Sequence, residues 1–288
     1  MSMERAASHY DEVTEAWMQW IMGDELHFGL FTAARESLAQ ATHNLTVRLA
    51  QRADFAPGMS VLDVGCGIGT PSIYLAKELG CRTTGISTSA VGVEIARARA
   101  AEQGVGETAR FEVRDAMDNG LPDASFDRVF SLESAHLMPD KARMFRECYR
   151  VLKPGGKLAL CDVALVGTPE TEIAHYVMLG HSPEVAVRMK AAVHSTMHRA
   201  FGSSILTQKT IYRDAANAAG FTDVEIRDIS AETRRTLEHW GHNAHLNRGP
   251  LIERMGERYV EDFLIALLHM SFGWGRLGGY ILMSGIKP

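Results

Sequence analysis

The sequence predicts a doubly wound α/β fold: a mostly parallel, seven-stranded sheet flanked by helices, with further helical insertions forming a lid. Three observations carry this expectation. From Ser60 onward, short β-rich runs alternate with helical patterns, the mark of strand–helix–strand units wound into a parallel sheet. The first of those strands feeds a glycine-rich turn and then a helix. With 288 residues, 46% apolar and 23% charged, the chain can build a large core, and one of that size buries roughly three quarters of the unfolded surface without a disulfide or metal staple.

Val61 to Val64 is a short apolar run and reads as a buried strand, followed by the turn and a helix from about Thr70 to Leu79. Arg82 to Ile86 is the second strand, and Ser89 to Glu102 is an alanine-rich helix capped by Ser89 or Thr88. Phe111 to Val113, Asp127 to Ser131 and Lys157 to Val163 supply three more strands. A helix from Lys141 to Val151 stops before the Lys153-Pro154-Gly155-Gly156 turn. After Gly167 the sequence is helix-like until Gly220; strands resume with Asp223 to Ile229 and with Tyr280 to Ile286.

The helical material outside this alternation has a natural place. Met3 to Met22 sets Ala6, Tyr10, Val13, Trp17 and Trp20/Ile21 at spacings of three and four, an amphipathic helix. Together with Thr168 to Ser204 and Ala231 to Trp274 it is expected to roof the crevice at the carboxyl ends of the strands. The organisation is thus an N-terminal helical lid segment (1–42), a core (43–167), a lid insertion (168–207), a core helix and strand (208–230), a second lid insertion (231–276) and the last core strand (277–288).

Thirty Lys and Arg against 35 Asp and Glu leave a formal charge of −5, which disfavours a nucleic-acid partner. No apolar run reaches the roughly 18 residues of a membrane span, and Asp11, Glu12 and Glu15 stand where a signal peptide needs a basic head. These features predict a cytoplasmic protein; its oligomeric state is not legible. Cys66, Cys81, Cys148 and Cys161 form no CxxC pair and read as reduced structural thiols.

Val61-Leu62-Asp63-Val64-Gly65-Cys66-Gly67-Ile68-Gly69-Thr70 carries the first functional signal. Glycines let the backbone turn sharply and let a ligand approach closer than a Cβ allows. The spacing is GxGxG rather than GxGxxG, and Asp63 lies two residues before the first glycine. A carboxylate there would repel a pyrophosphate and suit an α-ammonium group. With these residues the sequence resembles the class I S-adenosylmethionine-dependent methyltransferases with a Rossmann-like fold, in the small-molecule branch of sterol, tocopherol and macrolide or ansamycin tailoring enzymes. The resemblance covers roughly Leu26 to Val166 and the final strand. It implies that Asp63, Gly65, Cys66, Gly67 and Gly69 hold the methionine part of the cofactor. It also implies that the Gly85-Ile86-Ser87-Thr88-Ser89 segment reaches the ribose through Ser87 or Thr88. Many relatives place a glutamine three residues past that last serine, where this chain has Gly92. Arg114-Asp115-Ala116-Met117 resembles the loop whose acid accepts the adenine amino hydrogens, and Leu26 to Phe31 the segment that closes over the cofactor, with Tyr10 in a similar part.

The strand ending Phe130-Ser131-Leu132-Glu133 opens on the crevice, so Glu133 and His136 are expected to border the reactive end. Methyl transfer to a hydroxyl requires alignment, exclusion of water and removal of a proton. A histidine suits the last task, since its ordinary pKa near 6.5 leaves it mostly neutral at working pH. In related enzymes the position matching His136, before Met138-Pro139-Asp140, is often that base. The expectation is methylation of a hydroxyl on a small hydrophobic acceptor of secondary-metabolite type. Two alternatives stand beside it. One is methylation of carbon on an alkene or prenyl diphosphate, with Glu133 taking the proton and Arg234, Arg235, Arg248 or Arg276, or Mg²⁺, serving a diphosphate. The other is cofactor binding without transfer, as a cyclisation catalyst or regulator. His175, His181, His194, His198 and the series His239, His242, His245 sit in the expected lid, but match no common metal signature, so no metal is assigned. The aromatics Trp17, Trp20, Phe28, Phe31, Trp240, Phe272 and Trp274 read as core or as acceptor-pocket lining.

Overall fold

The computed structural model describes residues 3–178, 180–202 and 204–288, with the side chains of 3–8, 169 and 172 excepted. Its core is one seven-stranded sheet: β1 (Ser60–Val64), β2 (Arg82–Ser87), β3 (Ala109–Val113), β4 (Phe126–Leu132), β5 (Leu152–Leu165), β6 (Thr222–Asp228) and β7 (Gly278–Ile286). The order is β3-β2-β1-β4-β5-β7-β6, parallel except for β7, which runs antiparallel to both neighbours. Strand order reverses between β1 and β4, and the carboxyl ends of those two strands open the crevice in which α/β sheets bind ligands.

Burial on both faces explains why these strands read as continuous apolar runs rather than alternating ones. Val61 and Phe130 pack into one cluster, Leu62, Val64 and Val129 into another on the opposite face. The second face is covered by α5 (Lys141–Val151) and α8 (Lys209–Ala219), through Met144, Phe145, Tyr212 and Ala216. A third cluster joins α3 (Thr70–Leu79) and α4 (Ala90–Glu102) to Phe111 of β3. Ser89 caps α4 by accepting the Gly92 N–H at 2.9 Å.

The first face carries α2 (Leu38–Ala53); the remaining helices are those of the lid, α1 (Met3–Trp20), α6 (Pro169–Met178), α7 (Pro183–Phe201), α9 (Ser230–Thr233), α10 (Arg235–Leu246), α11 (Arg248–Met255) and α12 (Glu257–Gly273). In α1, Val13 and Trp17 are buried as the spacing predicts, with Ile21 buried just beyond its end, while the side chain of Ala6 lies outside the described residues. α2 opens on a capping box between Ser37 and Gln40 and buries Leu38, Ala41, Leu45 and Leu49, so the division at 42/43 falls inside a helix. The Lys153-Pro154-Gly155-Gly156 segment is a correction of another kind. α5 stops at Val151 as expected, but the turn is absorbed into β5: Leu152 pairs with Phe126, and a register shift follows. Gly155 takes φ +75 and donates its N–H to Lys287 O at 2.8 Å, which anchors the bulge to the C-terminal segment. All four cysteines are free and buried, and burial pushes their thiols up, Cys148 to about 12. Among the described residues no helix is long and apolar enough to cross a membrane.

Candidate active site

Two cavities lie at the carboxyl ends of β1 and β4. The first, of about 150 Å³, is walled by the glycine turn after β1, the end of β2, the loop after β3 and the end of β4. The turn is pinned by Gly65 N–H and Cys66 N–H, both donating to Ile86 O at 2.8 and 3.0 Å. Its three glycines do different work, all at positive φ. A Cβ on Gly65 would stand 2.1 Å from Ser134 Cβ, and one on Gly69 would stand 2.7 Å from the Phe111 ring. A Cβ on Gly67 would meet no protein atom within 4 Å: this glycine keeps the cavity itself open. Gly92 packs so close that a Cβ would be 3.0 Å from Gly67 O.

Asp63 borders this cavity, almost fully buried, and accepts the Ser72 hydroxyl at 2.7 Å. Burial pushes its carboxyl up to about 7, against the lowering effects of Ser72 and the His27 charge. Cys66, Ser87, Thr88, Asp115, Ala116 and Tyr10 also line the wall. Asp115 Oδ1 accepts the Met117 N–H at 2.8 Å. Gly69 and Met117 do not border the cavity: Gly69 is the turn before α3, and the Met117 side chain packs into the core between β4 and α5. The lid reaches over the cavity through Tyr10 and through Asp11, which accepts the hydroxyl of the cap residue Ser89.

The second cavity, about 350 Å³, is largely apolar and is roofed by α1, α6, α7, α10 and α12. Tyr10, Leu26 and Glu133 border both cavities and form their common wall. Glu133 stands at φ +51, a left-handed conformation uncommon outside glycine, immediately after β4. Its Oε1 accepts from the Phe28 N–H and from the Tyr280 hydroxyl (2.6 Å), which ties the Leu26–Phe28 segment to β4 and β7. Burial holds this carboxyl above its ordinary range, against the nearby His27 charge and these two donors.

His136 borders the second cavity, in a short 3₁₀ turn after β4. Its Nδ1 lies 2.7 Å from Asp162 Oδ1, and its own N–H donates to Asp162 Oδ2 at 2.8 Å. Asp162 is wholly buried and also accepts the Val163 N–H at 2.8 Å. A carboxylate accepts only, so Nδ1 is the donor to Asp162, and in the neutral ring Nε2 is then the nitrogen with the lone pair. Sequence reasoning missed Asp162; the available signal was a single acid inside the apolar run Leu158-Ala159-Leu160-Cys161-Asp162-Val163.

Of the aromatics expected in the lid, Trp17, Phe28, Trp240, Phe272 and Trp274 line the second cavity, while Trp20 and Phe31 do not. Phe31 instead stacks on His239, with the Arg235 guanidinium 4.5 Å from its ring. His175 and His194 line the cavity; His181, His198, His239, His242 and His245 do not. His269, which the sequence did not single out, does. Among the described residues no group of three or more His, Cys, Asp or Glu is placed to hold a metal ion.

Asp63 provides a test of the first cavity. An α-ammonium group favours the ionised carboxylate, so a ligand carrying one must displace the proton that burial favours. Affinity for S-adenosylhomocysteine is therefore expected to rise with pH between about 5.5 and 7, by up to tenfold per unit, below the range of roughly 7.7–8.0 where the α-amino group itself titrates. Calorimetry should show this slope in the native chain and its loss in Asp63→Asn; a flat profile in the native chain would remove Asp63 from the ligand's surroundings.

Known proteins similar to this chain include methyltransferases. The family described as "Methyltransferase domain" matches residues 62–160. Methyltransferase GfsG of Streptomyces halstedii is 32% identical over 287 residues, spanning 97% of this chain and 93% of that protein. The 27-O-demethylrifamycin SV methyltransferase of Amycolatopsis mediterranei (strain S699) is 44% identical over 149 residues, 52% of this chain and 55% of its own. Among solved structures, the [4+2]-cyclase SpnF superposes with a TM-score of 0.82 at 26% identity, over 100% of this chain and 97% of its own.

Proposed function

The chain belongs to the class I S-adenosylmethionine-dependent methyltransferases of the small-molecule branch, and we propose that it methylates a hydroxyl oxygen of a hydrophobic acceptor with His136 as general base. One observation carries this reading: the two cavities share the wall of Tyr10, Leu26 and Glu133, and His136, oriented by Asp162, borders the one that is apolar.

The residues of the first cavity fit the cofactor. Asp63 offers a buried carboxylate for its ammonium group, the space at Gly67 admits its backbone-hugging part, Ser87 and Thr88 offer hydroxyls, and Asp115 keeps Oδ2 for an exocyclic amine. The bound cofactor supplies a methyl group on an activated sulfonium. The protein's share is the rest. The apolar wall excludes water and presents the acceptor hydroxyl to the common wall. With the cofactor held by Asp63, Gly67, Ser87, Thr88 and Asp115, its methyl group would pass to the acceptor oxygen as the carbon–sulfur bond broke, and His136 Nε2 would take the hydroxyl proton. Asp162 holds the ring in the tautomer that leaves Nε2 unprotonated.

Methylation of carbon is the second reading, because Glu133 stands in the common wall where a proton acceptor would be needed. Its diphosphate form is disfavoured: among the described residues no Lys or Arg borders the second cavity, Arg234 and Arg235 being turned to Ser271 O and Ala33 O and Arg248 to Glu257. Incubation with methyl-labelled cofactor and a panel of apolar phenols, alcohols and prenyl chains separates the two. Label on oxygen is expected; label on carbon alone would overturn the proposal.

A further inference from the structure

Glu25 and His27 are buried ionisable groups that take no part in the proposed transfer. They flank Leu26, a residue of the common wall, and both border the first cavity. His27 Nδ1 lies 2.8 Å from Phe28 O, and Nε2 lies 3.3 Å from Glu25 Oε2. A carbonyl and a carboxylate accept only, so each ring nitrogen is met as a donor and the ring is an imidazolium. The titration of the pair agrees. Burial alone would lower His27, but Glu25, then Glu133 and Phe28 O, hold it above the ordinary imidazole range. Burial alone would raise Glu25, but His27 holds it below the ordinary carboxylate range. The other groups that face the pair come from three elements. Glu133 stands after β4 and Asp63 on β1, both within reach of the His27 charge. α2 supplies Thr46, whose hydroxyl is 3.5 Å from Nε2, and His43, whose charge acts on Glu25.

Resting on the reading of the first cavity as the cofactor site, we propose that His27 distinguishes the methyl-bearing cofactor from the spent one by charge, giving up a proton when the sulfonium enters and regaining it once the methyl group has left. S-adenosylmethionine and S-adenosylhomocysteine differ by one methyl group and one positive charge. The methyl group must face the second cavity, so that charge would arrive at the common wall, beside Leu26 and Glu133, where the imidazolium already stands. Like charges in a wall poor in water repel strongly, and a sulfonium has no proton to lose, so the imidazolium is the one that discharges. Its Nε2 proton would pass to solvent. Nδ1 keeps its own proton on Phe28 O, and the Thr46 hydroxyl can turn to donate to the lone pair left at Nε2. Glu25 and Glu133 then serve the sulfonium as counter-charges. Methyl transfer would leave the carbon–sulfur electron pair on sulfur and remove that charge, and His27 would take a proton back from solvent and pair again with Glu25. The neutral product thereby loses the attraction that held the charged cofactor.

Calorimetry on the full chain with S-adenosylmethionine and with S-adenosylhomocysteine tests this, at about pH 6.5, where the α-amino group is protonated. Repeating each titration in two buffers of different ionisation enthalpy counts the protons released. S-adenosylmethionine is expected to release roughly 0.3 to 1 proton more than S-adenosylhomocysteine, and the ratio of their affinities to rise by roughly two- to tenfold per unit between about pH 5.5 and 6.5. The contribution of Asp63 cancels, because both ligands carry the ammonium group. In His27→Gln the excess should vanish while the proton count of S-adenosylhomocysteine is kept. An excess that survives His27→Gln would overturn the proposal, and its loss in Glu133→Gln would assign the proton to Glu133 instead. Nitrogen NMR of ring-labelled histidine reads the same step without a substitution. One imidazolium is expected to become a neutral ring on addition of S-adenosylmethionine and to stay charged with S-adenosylhomocysteine; no such change would overturn the proposal. Equal proton counts for the two ligands in the native chain would overturn it and leave the cofactor site standing, whereas failure of both to bind would remove both. No acceptor is added, so the outcome is independent of whether oxygen or carbon receives the methyl group.

Discussion

Replacing His136 by alanine is expected to lower turnover by about 10²- to 10⁴-fold, the usual contribution of general-base catalysis, while affinity for S-adenosylhomocysteine stays within a few fold. The separation follows from the structure, because His136 borders the second cavity and not the first. A phenolic acceptor titrating near 10 is almost wholly protonated at neutral pH, so attack without a base is slow, and raising the pH should partly rescue the variant by ionising the acceptor itself. The substitution removes one donor from Asp162, which keeps the backbone N–H groups of residue 136 and of Val163; a melting curve confirms that the fold survives. Asp162→Asn should lower turnover as well, because a carboxamide can donate to Nδ1 and favour the wrong tautomer. Near-normal turnover in His136→Ala combined with loss in Glu133→Gln would transfer the assignment to carbon methylation. Normal turnover in both would mean that proximity alone drives the reaction.

The second large effect is expected at Gly67. Valine there adds a branched side chain pointing into space that the cofactor needs, at a residue whose φ of +50 is unfavourable for a β-branched residue. Affinity for S-adenosylhomocysteine should fall by at least tenfold, about 1.4 kcal/mol, with the chain still folded. No protein atom lies within 4 Å of the added Cβ, so the cost is expected to fall on the ligand more than on packing. Gly65→Val is the contrasting control: its Cβ would collide with Ser134, and loss of stability is expected before any loss of binding can be read. Unchanged affinity in a folded Gly67→Val would displace the cofactor from this turn.

The proposed cofactor cradle is legible because it is local. Asp63, the glycines and the start of α3 lie within one strand–turn–helix unit, and their backbone angles are demanded by residues a few positions apart. Ser87, Thr88 and Asp115 follow at the ends of the next strands, so their place is set once the sheet is parallel. α2 was invisible to a reading that began at Ser60, and the Pro-Gly-Gly turn misled because its local chemistry stops a helix but does not forbid a strand held by a partner at Lys287.

The sequence by itself determined the doubly wound sheet, the glycine turn with its acid, and a histidine after the fourth strand, since each rests on periodicity or on conformational demands that neighbours in the chain impose. Only the tertiary structure decided what those residues meet. Asp162 reaches His136 because β4 and β5 pair, beyond the shift, with Leu132 opposite Cys161, and Tyr280 reaches Glu133 because β7 inserts antiparallel beside β5. The second cavity was decided there too: its wall draws on α1, α6, α7, α10, α12 and three strand ends, and which of the lid histidines and aromatics face it depends on how those helices rotate as they pack, a property set by long-range burial.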